Sequence, residues 1–240
     1  MSRKAYRRGY PVAVLVGIES DHAAFWHVFS QVAKQQQAIP LNGNRSDPKT
    51  LYSFHETIVN ALRPTLKEGI RSIIIASPAR TNYAQNFQNH IKAHHSWLLS
   101  GTNKATFSTI TGSASTPTQV ATITKTATFK QSINETTTEE AENLLEILEK
   151  KLNSPENLVL FSLPDAEHFV FETQAEGKPK PEYLMLTDEY LSKSRQRYRV
   201  QRLMQVAANK GVKTRVISAE STAGKRLTQF GGIVCLAKRE

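Results

Sequence analysis

The chain has 240 residues, and its 31 Lys and Arg outnumber its 21 Asp and Glu, which gives a formal net charge of +10 at pH 7. A hydrophobic content of 39% is enough for a buried core, while the single cysteine, Cys235, excludes a disulfide framework and a cysteine-based metal cluster. The excess of basic residues favours a polyanionic partner such as RNA, DNA or an anionic lipid, with a merely basic surface as the alternative.

The first ten residues are strongly basic, and we interpret residues 1–10 as a flexible arm. The candidate contacts to RNA phosphates in this arm are Arg3, Lys4, Arg7 and Arg8. A solvated charged tail is the alternative interpretation. We expect no signal peptide and no membrane span, because no apolar run approaches the ~18 residues that a span needs. The cysteine content suits a reducing compartment, so we expect a cytoplasmic protein without a membrane partner.

Residues 11–128 alternate between strand and helix patterns, which predicts an α/β domain. Asp47 is expected to cap the first helix, with Pro48 in its first position, and Pro64 is expected to kink or end that helix. The predicted strands are 11–18, 22–30, 32–41, 72–77 and 105–111, and the predicted helices begin at 47 and 81.

Residues 129–240 predict a second α/β domain, joined to the first near residues 126–131. A capping box of Thr137 and Glu140 predicts a helix that runs to Leu152. The other predicted helices are 165–173, 192–210 and 222–230, and the predicted strands are 158–163, 183–187, 212–218 and 233–237. We therefore expect two α/β domains with mixed sheets.

The predicted helix at 192–210 has a basic face. Arg195, Arg199 and Arg202 follow the i, i+4, i+7 spacing that places side chains on one side of a helix, whereas Val200 and Leu203 fall on another. These three arginines are candidate contacts to rRNA or to an acidic protein partner. A solvated helix face is the alternative.

The sequence offers little support for a catalytic or metal site. His90 and His94 have a spacing that can hold a metal, but the Glu of an HExxH motif is missing, and we interpret them with His95 as a solvated or partly packed cluster. A P-loop and a GxSxG motif are also absent from the sequence. We therefore assign no catalytic residue, no metal ligand and no cofactor.

A familiar pattern closes the chain. Residues 221–234 read STAGKRLTQFGGIV, which resembles the closing signature of the archaeo-eukaryotic class I release factor and Pelota family: Ser, Gly, Leu, Gln and Gly-Gly-Ile before a hydrophobic strand. Residues 11–41, 72–80 and 183–191 resemble further family elements in the same order. The resemblance covers roughly residues 11–237 and implies a central domain at 11–128 followed by a C-terminal domain of the kink-turn-binding ribosomal-protein type at 129–240.

Two departures from the family pattern bear on function. Release factors carry Gly-Gly-Gln in the loop after the opening meander, whereas residues 41–47 read LNGNRSD here. The candidate RNA contacts in this loop are Asn42, Asn44 and Arg45. The side chain of Arg45 is better suited to binding a phosphate than to activating water. The family also has a separate N-terminal decoding domain, and we expect this chain to begin directly at the central domain.

The resemblance implies a ribosome-binding translation factor that acts in ribosome rescue or dormancy without hydrolysing peptidyl-tRNA. Its implied partners are the ribosome, through rRNA and P-site tRNA, and a translational GTPase. Two alternatives stay open: a divergent peptidyl-tRNA hydrolase of the release-factor type, and an RNA-binding module that acts outside the ribosome.

Overall fold

The computed structural model describes residues 9–154, 158–172 and 177–238. The four basic residues of the predicted arm, Arg3, Lys4, Arg7 and Arg8, lie outside these ranges. The described chain forms two compact units: the first contains the residues up to Leu66 together with Ile70–Glu140, and the second contains Lys67–Gly69 and the residues from Ala141 onward. Each unit is a mixed sheet with helices on both faces, which confirms the predicted pair of α/β domains with mixed sheets.

The sheet of the first unit has five strands in the order β3-β2-β1-β4-β5. Its strands are β1 (Pro11–Ile18), β2 (His22–Phe29), β3 (Ala33–Pro40), β4 (Ser72–Ser77) and β5 (Thr106–Thr111). The strands β1, β2 and β3 pair antiparallel, whereas β1, β4 and β5 pair parallel. The apolar β4 is buried at every position, and the polar β3, with exposed Gln35–Gln37, forms one edge.

Helices cover both faces of this sheet. The helices are α1 (Pro48–Lys67), α2 (Tyr83–His94), α3 (Pro117–Ile123) and the start of α4 (Ala127–Leu152), and a 3-10 turn, Ser96–Leu98, follows α2. One core contains Ile58 of α1 and Phe87 of α2, and the core on the opposite face contains Val120 of α3 and Phe129 of α4. The two helices α1 and α2 therefore lie side by side on one face, which is the arrangement that positions the histidines discussed below.

The start of α1 agrees with the sequence, but its end does not. The backbone N–H of Thr50 donates to Asp47 Oδ2 at 2.9 Å, which confirms Asp47 as the cap. Pro64 was expected to kink or end the helix, and of these two outcomes the end does not occur, because α1 continues through Pro64 to Lys67. Leu62 and Leu66 on either side of the proline are buried in the core, and this tertiary packing compensates for the hydrogen bond that the proline removes.

The helix α4 begins ten residues before the predicted capping box, so the prediction of a helix start at Thr137 is wrong. The Thr137 hydroxyl donates to the Ile133 carbonyl at 2.7 Å within the helix. The predicted domain boundary at 128–129 lies in the first turn of α4, whereas the compact units divide after Glu140. The reason is that Phe129 packs into the first core, while Leu144 and Leu148 pack into a core of the second unit.

The sheet of the second unit has the order β6-β9-β7-β8. Its elements are β6 (Val159–Leu160), α5 (Leu163–Phe171), β7 (Lys180–Thr187), α6 (Asp188–Lys193), α7 (Arg197–Asn209), β8 (Lys213–Ile217), α8 (Thr222–Gln229) and β9 (Ile233–Lys238). The helices α5 and α7 cover one face, and α8 with the second half of α4 covers the other. The predicted strand at 158–163 is reduced to Val159–Leu160, since α5 begins at Leu163.

The helix predicted at 192–210 is two helices, because the chain leaves helical geometry between Lys193 and Arg197. The Ser194 hydroxyl accepts a hydrogen bond from the Gln196 backbone at 3.1 Å, a local side-chain contact that competes with helix continuation. Arg195 therefore lies in the connection and not on the helix face of Arg199 and Arg202. The prediction that all three arginines share one helical face is wrong.

The closing signature of the sequence has a structural explanation. Ser221 caps α8 by accepting a hydrogen bond from the Gly224 N–H at 3.0 Å. At Gly224 the helix approaches the Ser218 carbonyl so closely that a Cβ would lie 1.9 Å from its oxygen. Gly231 and Gly232 turn the chain into β9 with φ of +95° and +79°, a conformation that glycine adopts readily. These residues hold α8 against the sheet.

Across the described residues, no helix is long and apolar enough to cross a membrane.

Candidate nucleic-acid interface

The β3–α1 loop contains three of the predicted RNA contacts, and the structure gives Arg45 a well-defined intramolecular position. Its guanidinium lies 4.0 Å from the centroid of the Tyr83 ring. Its Nε donates to the Ser20 carbonyl at 3.0 Å, and a second guanidinium nitrogen donates to the Glu19 carbonyl. Arg45 thus fastens the loop to the β1–β2 turn and to α2, and its half-buried side chain offers little free surface to a phosphate.

The two asparagines of this loop differ in their engagement. The Asn44 Oδ1 accepts a hydrogen bond from the Ser46 backbone at 2.9 Å, which closes a local Asx turn. Asn42 is exposed and lines a shallow groove together with Lys49 and Thr57 of α1. Lys49, an exposed cation beside Asn42, was not predicted as a contact, although its place one residue after Pro48 indicates the exposed first turn of a helix. Asn42 and Lys49 are the accessible polar groups at this point.

On α7, Arg199 forms an ion pair within its own unit. Its guanidinium nitrogens contact both carboxylate oxygens of Glu167 on α5, with Nε at 3.2 Å and 3.1 Å from Oε1 and Oε2. The Glu167 side chain retains 12% of its exposure, so the pair is partly shielded. The hydrogen bonds that Arg199 donates to the Glu167 carboxylate raise the pKa of its guanidinium, which stays charged. The guanidinium therefore joins α5 to α7.

The remaining cations of this region are more accessible. Arg195 is exposed in the α6–α7 connection, and Arg202 lies on α7 with its guanidinium 5.2 Å from the Phe171 ring centroid. Between them, Tyr198 keeps 78% of its surface exposed. Tyr198 was not predicted as an RNA contact, although an aromatic residue within a basic run can stack on a nucleic-acid base. Arg195, Tyr198 and Arg202 form an exposed basic and aromatic group on the second unit.

Two groups that the sequence analysis judged non-catalytic have defined surroundings. Cys235 is fully buried in β9, and burial raises the pKa of its thiol to about 12, so it is a core residue without nucleophilic character.

His90 and His95 are buried and both contact Glu56, at 3.0 Å and 2.7 Å, whereas His94 is exposed. The histidines are thus partly packed, as the sequence predicted.

Comparison with known proteins gives one family match. Residues 123–238 match the family described as eRF1 domain 3, which covers the second unit and the start of α4. No curated protein matches the chain.

Solved structures match almost the whole chain. A chain in the structure of ribosome-bound archaeal Pelota and ABCE1 is 18% identical, with a TM-score of 0.54, over 98% of this chain and 64% of that one. Dom34 of S. cerevisiae, described as a translation termination-like factor that interacts with Hbs1, is 22% identical, with a TM-score of 0.49, over 98% of this chain and 66% of that one. The archaeal translation termination factor aRF1 is 13% identical, with a TM-score of 0.32, over 95% and 62%.

This chain therefore spans about 64% of the length of the archaeal chain that it matches. The structural likeness covers 98% of this chain and is what assigns the fold of the first unit. The resemblance seen in the closing signature is confirmed: the chain is similar in fold to the archaeal Pelota structure, and its residues 123–238 match the family described as eRF1 domain 3.

Proposed function

We propose that the protein is a ribosome-binding translation factor related to Pelota and the release factors, which acts in ribosome rescue or dormancy. The observation that carries the proposal is the match of residues 123–238 to eRF1 domain 3. The solved structure that supports the fold of the whole chain describes a ribosome-bound assembly. A translational GTPase is a further proposed partner, as the family resemblance implies. A ribosome-bound role also implies a cytoplasmic location.

The charge of the molecule supports an RNA surface as the main target. The net charge of +10 favours association with a polyanion at long range. The predicted arm of Arg3, Lys4, Arg7 and Arg8 stays a proposed phosphate contact. On the described residues, we propose the exposed groups Arg195, Tyr198 and Arg202 on the second unit, and Asn42 with Lys49 on the first. Arg199 and Arg45 are assigned a structural role, because Arg199 joins α7 to α5 and Arg45 holds the loop at 41–47 to the β1–β2 turn.

We further propose that the protein does not hydrolyse peptidyl-tRNA. Gly-Gly-Gln does not occur in the sequence, and the loop at 41–47 offers Asn42 and Asn44 instead of a glutamine. Asn44 holds the Ser46 backbone and Arg45 holds the β1–β2 turn, so neither side chain is free to reach a scissile ester. Hydrolysis needs donors preorganised at the developing oxyanion, and this loop is organised around its own fold.

The test of ribosome binding is sedimentation of the purified full chain with ribosomes, beside the same measurement on isolated structured RNA. We expect co-sedimentation with ribosomes and markedly weaker binding to the free RNA. The reason is that a specific ribosome-binding surface recognises the shape of its site in addition to phosphate charge. Equal binding to both would favour the RNA-binding module outside the ribosome. A protein that stays free of ribosomes even at low salt would overturn the proposal.

The test of hydrolysis is single-turnover peptide release on stalled ribosomes. We expect no release above background by the wild-type protein. Release that falls sharply in Asn42→Ala or Asn44→Ala, but not in Lys130→Ala at an exposed position of α4, would instead establish a hydrolase with an unusual loop. Ribosome binding is measured for each variant, so that lost binding is distinguished from lost chemistry.

A further inference from the structure

We propose that Glu56, His90 and His95 form a binding site for one divalent transition-metal ion, with Zn²⁺ as the best-suited ion. Their ligand atoms, one carboxylate oxygen and two imidazole nitrogens, all lie within 4.8 Å of one another. This is the single such group of three found in the part of the chain that the structure describes. The inference is independent of ribosome binding and reverses the sequence-based expectation of no metal.

The site is assembled by two helices that pack on the same face of the first sheet. Glu56 lies on α1, His90 lies near the end of α2, and His95 follows α2 directly. His90 Nε2 and His95 Nε2 lie 3.0 Å and 2.7 Å from the same Glu56 oxygen. Tetrahedral zinc with bonds of about 2.0–2.1 Å separates its ligand atoms by about 3.3 Å. The two histidine–glutamate separations are close to this value, and the two imidazole nitrogens lie within 4.8 Å of each other.

The chemistry of the three donors fits zinc. Imidazole nitrogen and carboxylate oxygen are both established zinc ligands, and two histidines with one carboxylate leave a fourth position for water or a further group. The neighbouring His94 is exposed, and its ring centroid lies 4.9 Å from that of His90. The site carries one negative charge from Glu56 and can therefore partly neutralise a dication.

The surroundings orient the imidazoles and keep them ready to bind. His90 and His95 are 8% and 7% exposed, whereas the Glu56 side chain retains 29%, which leaves an opening for an ion. The rings of Tyr52 and Trp97 make edge contacts with His90 and His95. Burial lowers the pKa of His90, against the raising effect of Glu56.

Bound metal would join the end of α2 to the middle of α1. Without metal, the two imidazoles can each donate a hydrogen bond from Nε2, and both bonds share the same Glu56 oxygen as acceptor. Zinc replaces these shared hydrogen bonds with three coordinate bonds and so restrains the chain between Glu56 and His95, which are 39 positions apart. We expect the metal to stabilise the first unit by mass action.

The test uses the full chain without a histidine tag, stripped of metal with a chelator and titrated with ZnCl₂ in a calorimeter. We expect one Zn²⁺ per chain, and a rise in the melting temperature with zinc concentration. Co²⁺ should give the intense visible absorption of a four-coordinate site. Glu56→Gln, His90→Gln and His95→Gln should each weaken zinc affinity at least about tenfold, because each removes a direct ligand.

The control is His168→Gln, which removes a histidine that is exposed on α5 and should leave zinc affinity unchanged. The glutamine variants retain hydrogen-bonding groups, and melting of each metal-free variant checks that it folds. If one variant does not fold, the other two decide. Absence of saturable zinc binding, or affinity that is unchanged in the folded variants, would overturn the proposal and show an ion-free hydrogen-bond network.

Discussion

At the residue scale, Arg45 has a structural role that its place in a polar loop conceals. Its guanidinium stacks on Tyr83 and donates to the carbonyls of Glu19 and Ser20. We expect Arg45→Ala to lower the free energy of unfolding by about 1–3 kcal/mol, because it removes a cation–π contact and leaves two acceptors unpaired. Arg45→Lys should recover only part of this loss, since an ammonium lacks the planar fork.

The measurement is urea denaturation followed by circular dichroism. Lys49→Ala removes a neighbouring exposed cation and should change stability by no more than about 0.5 kcal/mol. Equal stability of Arg45→Ala and the wild-type protein would show that the guanidinium is free, and would return Arg45 to the group of candidate phosphate contacts.

Asp47 gives the stability of the first unit a pH dependence. Hydrogen bonds from the Thr50 side chain and backbone lower the pKa of its carboxyl in the folded state. A depressed pKa contributes stability that is fully present above the unfolded pKa of about 3.9 and is lost as the pH falls through the folded value. Asp47→Ala should therefore be less stable than the wild type at neutral pH, and the difference should shrink below about pH 4.

Asp47→Asn is the control for this effect, because asparagine also caps helices but does not titrate. Denaturation of the three proteins across a series of pH values measures the differences. A gap between wild type and Asp47→Ala that stays constant down to the lowest pH would contradict the assignment.

At the element scale, the ion pair between Arg199 and Glu167 joins α7 to α5. We expect Arg199→Glu to lower the melting temperature, because it places two carboxylates against each other on neighbouring helices. The double variant Arg199→Glu with Glu167→Arg should regain most of the loss. Arg195→Glu, in the exposed connection, is the matched control and should melt like the wild type.

Thermal melts of the wild type, Arg199→Glu, Glu167→Arg and the double variant form a double-mutant cycle that isolates the pair from other effects of charge. If reversal of Arg199 alone leaves the melting temperature unchanged, the contact is too exposed to stabilise the unit. Tests of RNA binding should therefore reverse Arg195 and Arg202 and leave Arg199 intact.

The contact of α8 with the chain before it depends on Gly224. A Cβ at this position would lie 1.9 Å from the Ser218 oxygen and 2.7 Å from its carbonyl carbon, both backbone atoms. We expect Gly224→Ala to destabilise the second unit by at least about 3 kcal/mol, because the helix must move outward. Lys225→Ala on the exposed side of α8 should change stability by no more than about 0.5 kcal/mol. Denaturant unfolding of both variants tests this, and a stable Gly224→Ala would show that α8 shifts at little cost.

At the scale of the whole molecule, the proposed ribosome binding should depend steeply on salt. Phosphate contacts release counterions, so the logarithm of the affinity falls linearly with the logarithm of the salt concentration. We expect Arg195→Glu with Arg202→Glu to reduce the magnitude of this slope by at least about two, one for each lost phosphate contact.

Ribosome sedimentation across a salt series measures the slope. Reversal of Lys150, an exposed cation on α4, is the control for a change in net charge elsewhere on the second unit. Lys150→Glu reverses one charge, whereas the double variant reverses two. If Lys150→Glu reduces the salt slope by half as much as the double variant does, net charge and not this surface governs binding.

The features that could be predicted from the amino-acid sequence are those that depend on near neighbours in the chain. Apolar runs located β1 and β4, helical spacing located α1 and α2, and the acceptor at Asp47 located the start of a helix. The closing signature identified the second unit, because the serine cap, the close approach at Gly224 and the Gly231-Gly232 turn all lie within one short segment. Each of these features rests on interactions over a few residues, which a sequence displays directly.

Features that depend on residues distant in the chain could be seen only in the folded protein. The capping pattern at Thr137 and Glu140 was overruled because Phe129 gains a buried position that extends α4 backward to Ala127. Glu167 and Arg199 are 32 residues apart, and Glu56 lies 34 and 39 residues before the two histidines that it contacts. These residues pair because their helices pack on the same face of a sheet. That arrangement is set by the packing of the whole core, and no local sequence pattern specifies it.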